Sequence, residues 1–82
     1  MFEITNKSEI RPALINNLAP FSPVALNISG TTVNVAITHD AEFEEVFEVE
    51  CWGAKKRYYK FDTAAKAAEN LFDAFVCTSK AH

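Results

Sequence analysis

Apolar and polar residues alternate over Val24, Leu26 and Ile28, and again over Val33, Val35 and Ile37. This is the period of strands with one buried face. Ser29-Gly30 separates the two runs and supplies a residue free to take positive φ, so the pair reads as a hairpin. From Ala64 the period changes to that of a helix. Ala64, Ala67, Ala68, Leu71, Phe72, Phe75 and Val76 make one apolar face, opposite Lys66, Glu69, Asn70 and Asp73. Asp62 or Thr63 is its expected cap. Phe72→Ala is expected to cost about 3 to 5 kcal/mol by leaving a cavity.

Between the hairpin and the helix, the pattern predicts a strand from about Phe43 to Trp52. Phe47, Val49 and Cys51 lie on one face of it, and Glu44, Val46, Glu48, Glu50 and Trp52 on the other. Gly53-Ala54 then turns the chain into a strand over Lys55 to Phe61, with Tyr59 and Phe61 inward and Lys56, Tyr58 and Lys60 outward. Stacking Phe47 on Phe61 and Val49 on Tyr59 sets Glu48 opposite Lys60 and Trp52 opposite Lys56. At the N-terminus, Phe2 and Ile4 form a short strand, and Ser8 caps a helix through Ile10, Leu14 and Leu18. Pro12 fits that helix only within its first turn. Ala19 to Pro23, with two prolines, is a linker inside the domain.

The expected architecture is therefore a single α+β domain over residues 1–82. It has a three- or four-stranded antiparallel sheet, a C-terminal amphipathic helix packed on one face and a short N-terminal helix at one side or end. A chain of 82 residues buries only about 60 to 65% of its unfolded surface. That leaves room for one modest core, and a large enclosed active-site cavity is not expected. No apolar run reaches the roughly 20 residues that span a bilayer, so no membrane association is expected. Met1 to Lys7 has no apolar signal segment, and two cysteines are too few for a disulfide framework. The expected location is the cytoplasm, that of the host if the chain is phage-encoded.

Charge sharpens the picture because it is sorted by strand. Asp40, Glu42, Glu44, Glu45, Glu48 and Glu50 are six of the eleven acidic residues, and Lys55, Lys56, Arg57 and Lys60 are four of the eight basic ones, in a chain of net charge -3. Exposed cross-strand ion pairs contribute about 0.2 to 1 kcal/mol each, against about 1.5 to 3 for burying one large apolar side chain. The core thus sets the fold, and the charges help select the register.

Chemistry is constrained by what the spacing withholds. His39, Cys51, Cys77 and His82 offer no closely spaced ligand pair, so no metal or other cofactor is expected. His39-Asp40 points to opposite sides of an extended segment, and a Cys51–His39 nucleophile pair would need a cleft that so small a domain rarely builds. Gly30 and Gly53 are the only glycines, which excludes a glycine-rich phosphate loop. The chain is expected to be no enzyme and to have no catalytic residue.

Carboxylates around aromatic anchors have the composition of a protein-binding patch. The expected contact set is Glu44, Glu48, Glu50, Trp52 and Tyr58, with a protein as partner. The alternative is a nucleic-acid surface on Lys55, Lys56, Arg57 and Lys60, where bases interleave with aromatics. A homodimer joined through edge strands or through Trp52 is a third arrangement.

Two resemblances bear on these alternatives. From Val46 to Phe75, a strand, a basic strand and the step Phe61-Asp62-Thr63 into an alanine-rich helix resemble the three-stranded-sheet DNA-binding domain of phage integrases. That resemblance implies DNA contact through the basic strand, although Glu44, Glu48 and Glu50 stand where the family's sheet is basic. The whole layout, a small acidic α+β chain without a catalytic motif, is similar to phage-encoded inhibitors of host defence such as anti-CRISPR proteins. This second likeness implies a host nucleic-acid-binding complex as the partner.

Overall fold

A computed structural model of the chain describes residues 1–80, with side chains described through residue 76. Five strands form one open sheet in sequence order: β1 (Phe2–Ile4), β2 (Val24–Ile28), β3 (Thr31–His39), β4 (Glu45–Cys51) and β5 (Ala54–Tyr58). β1 runs parallel to β2, and every other neighbouring pair is antiparallel. The sheet is thus one or two strands wider than the pattern predicts. β1 is the short strand expected from Phe2 and Ile4, and its parallel pairing with β2 brings it into the same sheet.

A 3-10 turn (Lys7–Glu9) leads into α1 (Ile10–Asn17), which returns the chain to β2, and α2 (Phe61–Lys80) follows β5. The cap lies earlier than Ser8: the Glu9 carboxylate reaches back to accept the Asn6 N–H at 2.6 Å and the Thr5 N–H at 2.9 Å. Pro12 falls in the first turn of α1, where its missing N–H is harmless. Both helices lie on one face of the sheet. Ile10 and Leu14 of α1 and Ala64, Ala65 and Ala68 of α2 join Leu26, Ile28, Val33, Val35, Phe47 and Val49 in one buried cluster. Alanines at the contact let α2 approach the sheet closely, while Leu71, Phe72 and Phe75 are only partly buried.

Arg11 ties the helices together. Its Nη1 donates to Asp62 Oδ1 at 2.6 Å, and its Nε and Nη2 donate to the two Glu69 carboxylate oxygens at 3.0 and 3.3 Å. Lys7 reaches Asp73 at 3.1 Å.

The β2–β3 hairpin turns at Ser29-Gly30 as expected, with positive φ at both residues and Ile28 opposite Thr31. The β4–β5 hairpin corrects the predicted one. Its turn is Trp52-Gly53, with φ 54° and 80°, and it joins Cys51 to its partner Ala54. A two-residue turn of this type needs positive φ at both positions, and glycine suits the second. Gly53 therefore takes the place that Gly30 takes in the first hairpin, and Trp52 leaves the strand.

Phe47 then faces Tyr58, Glu48 faces Arg57 and Val49 faces Lys56. The partner of Phe47 has moved by three residues, an odd number, so every β5 side chain changes face. Tyr58 is inward and half-buried, Tyr59 is 62% exposed, and Lys56 lies on the helix side. Phe61 opens α2 instead of closing a strand, which puts Asp62 and Thr63 inside the first turn. From there Phe61 still meets Phe47, edge to face at 6.0 Å between ring centroids.

Candidate functional site

The five residues expected to meet a partner do not share a surface. Glu48 and Glu50 lie on the open face of the sheet, opposite Arg57 and Lys55 of β5. Arg57 Nε donates to Glu48 Oε2 at 3.1 Å, and the Glu48 side chain is only 19% exposed, so its charge is largely matched. Val46, on the same face, is fully buried. Trp52 and Tyr58 lie on the helix side. Trp52 is 79% exposed, and its ring meets Phe75 of α2 at 5.1 Å between centroids with the planes tilted by 54°. Trp52, Tyr58 and Lys56 line a groove of about 320 Å³ between β5 and α2, floored by Val49 and Cys51 and walled by Leu71.

Glu44 belongs to neither place. β4 begins at Glu45, and Glu44 closes the β3–β4 loop at the other end of the strand, about 25 Å from the Trp52 turn at strand rise. This loop is the feature that periodicity missed. The Phe43 N–H donates to the Asp40 carbonyl at 3.0 Å, closing a turn. Asp40 Oδ1 accepts the N–H groups of Glu42 at 2.9 Å and Glu44 at 3.0 Å, which pins the backbone on both sides of Phe43. Phe43 is held at φ 62° and is 86% exposed. Glu42, Glu44 and Glu45 are exposed around it, and among the described residues none of the loop's four carboxylates meets a cation. The sequence signal was present in Asp40, an Asx-turn former, followed by one aromatic among acids.

Phe21 makes a second aromatic tip. Ser22 N–H donates to the Ala19 carbonyl at 2.9 Å, and Phe21 takes φ 64° at the third position of that turn, fully exposed. Pro20 bridges to Ile37 of β3, so this turn and the 40–44 loop flank His39.

The basic strip is divided as well. Lys55 and Arg57 lie on the open face, Lys56 lines the groove on the helix side, and Lys60 follows the end of β5. Among the described residues, these four bases do not form one continuous surface. A Cys51–His39 pair is not assembled either: β3–β4 register sets His39 against Glu45 and Cys51 against Val33, at opposite ends of the ladder. Burial also pushes the Cys51 thiol above its ordinary pKa, away from the nucleophilic thiolate. The Cys77 side chain and His82 lie outside the described residues. Among the described residues no group of three metal-ligating side chains comes together, and no helix is long and apolar enough to cross a membrane. Comparison with protein-family models, with curated proteins and with solved structures finds no match to this chain.

Proposed function

We propose that the chain is a non-enzymatic protein-binding module that docks an acidic, aromatic surface onto a basic face of its partner. The observation that carries this is the loop over residues 40–45, where the exposed carboxylates of Glu42, Glu44 and Glu45, with no cation beside them among the described residues, flank an exposed Phe43 on a backbone pinned by Asp40. A rigid apolar anchor ringed by polar groups is the arrangement from which interfaces draw most of their energy. Carboxylates held in place around it offer a basic nucleic-acid groove the charge it normally receives from phosphates. A phage or mobile-element chain of this kind acts in the host cytoplasm as an inhibitor, occupying the nucleic-acid channel of a CRISPR-type defence complex. The likeness to anti-CRISPR proteins implies the same role. Glu48, ion-paired with Arg57, and Glu50, half-buried across from Lys55, contribute less to such a surface than the exposed Glu42, Glu44 and Glu45.

The test is competition. The chain is titrated into the host's CRISPR effector loaded with fluorescent target DNA, and displacement is followed by anisotropy. Displacement by the native chain is expected, with its loss in the Glu42→Lys, Glu44→Lys, Glu45→Lys triple variant while circular dichroism stays unchanged. Undiminished displacement by the folded triple variant overturns the proposal. Direct DNA binding by the chain, falling steeply with salt, would instead select the surface of Lys55, Lys56, Arg57 and Lys60.

A further inference from the structure

The β5 edge of the sheet carries a different chemistry. Among the described residues, β5 ends the strand order and pairs with β4 alone, so alternate N–H and C=O groups along its outer side have no strand partner. Its four residues from Ala54 to Arg57 are all exposed. Side chains along β5 sort into two rows: Lys55 and Arg57 on the open face, and Lys56 and Tyr58 on the helix side. The second row borders the groove floored by Val49 and Cys51, which has no carboxylate in its lining. Among the described residues, Lys55, Lys56 and Lys60 make no ion pair.

β4 shows what such a strand accepts, because it already fills the inner side. It sets Glu50 and Glu48 against Lys55 and Arg57, and Val49 and Phe47 against Lys56 and Tyr58. The outer side of β5 presents the same two rows to an incoming strand. A second β5 would oppose Lys and Arg with Lys and Arg, which disfavours pairing of identical edges. A strand that alternates carboxylates with apolar residues turns the same charges into attraction.

We propose that β5 is a docking edge for an extended acidic segment of a partner protein. The segment adds to the sheet as a further strand, placing carboxylates over Lys55 and Arg57 and apolar side chains in the groove between β5 and α2. This surface is separate from the 40–45 loop, so either proposal can fail without the other.

The probe is an acetylated, amidated hexapeptide copying residues 45–50, Glu-Val-Phe-Glu-Val-Glu, added to the full chain labelled with nitrogen-15. Saturable shifts centred on the amides of residues 54–58 are expected, with slowed hydrogen exchange at alternate β5 amides. Lys55→Glu should weaken binding by about tenfold, and a hexapeptide with Lys in place of each Glu should not bind. Tyr58→Ala provides a second variant that alters the groove row without reversing charge, and it too should weaken binding. Four results overturn the proposal: no saturable binding, shifts centred elsewhere, equal affinity for Lys55→Glu, or protection of the same amides by self-association without peptide.

Discussion

Among the described residues, four other than glycine have positive φ: Phe21, Ser29, Phe43 and Trp52. Three of them are aromatic, a class for which this conformation is sterically poor, at about 1 to 2 kcal/mol per residue. Trp52 recovers part of that through its contact with Phe75, whereas Phe43 is exposed at a loop tip. A strained, exposed aromatic has no folding role that glycine or asparagine would not fill better, which is the residue-scale support for a contact surface. Phe43→Asn should therefore fold with unchanged or higher stability, by up to about 1 kcal/mol or several degrees in Tm, while losing competition in the anisotropy assay. A lower melting temperature in scanning calorimetry would mean that Phe43 serves the fold. Of this the sequence shows only an aromatic among acids. The sign of φ depends on the hydrogen bonds that Asp40 makes once the loop has closed.

At the scale of elements, α2 and the β2–β3 hairpin were legible because each carries one clear period bounded by a turn or a cap. The β4–β5 hairpin was not. Tyr59 and Phe61 alternate as well as any strand pair, but a turn that needs glycine at its second position overrules a pattern of two residues. The two helices are coupled through charge. Hydrogen bonding to Arg11, followed by its charge, holds the Asp62 carboxyl below its ordinary pKa near 3.8. A depressed carboxyl contributes stability that is complete above its ordinary value and lost as pH falls through the lower folded value. Arg11→Met removes the cause. Below about pH 4, native urea midpoints should fall more steeply than those of the variant, and the two curves should converge at the acid end. Hydrogen bonds from Thr5 and Asn6 hold Glu9 low in both proteins, so some acid sensitivity should remain in the variant. Parallel curves would show that the Arg11 clamp does not couple to folding.

For the whole molecule, an 82-residue chain has roughly 4 to 12 kcal/mol of stability to lose. The deepest part of its core is aliphatic: Leu26, Ile28, Val33 and Val35 are fully enclosed, and Phe72 is only partly buried against them. Leu26→Ala should cost about 2 to 5 kcal/mol. Phe72→Ala should cost about 1 to 3, less than its sequence pattern predicts, because part of its ring already meets water. The reverse order in urea denaturation would contradict this placement of the core. Periodicity, turn residues and the lack of ligand spacing by themselves determined an α+β chain with a hairpin, a charge-sorted strand pair and an amphipathic C-terminal helix. Those properties are local, set by side chains a few residues apart. Only the tertiary structure decided which face each β5 residue takes, that Glu48 is matched by Arg57, that Trp52 and Tyr58 border a groove, and that the carboxylates of Glu42, Glu44 and Glu45 stand exposed beside Phe43. Those outcomes rest on the pairing of strands, and a shift by an odd number of residues exchanges the two faces of a strand while leaving its own pattern intact.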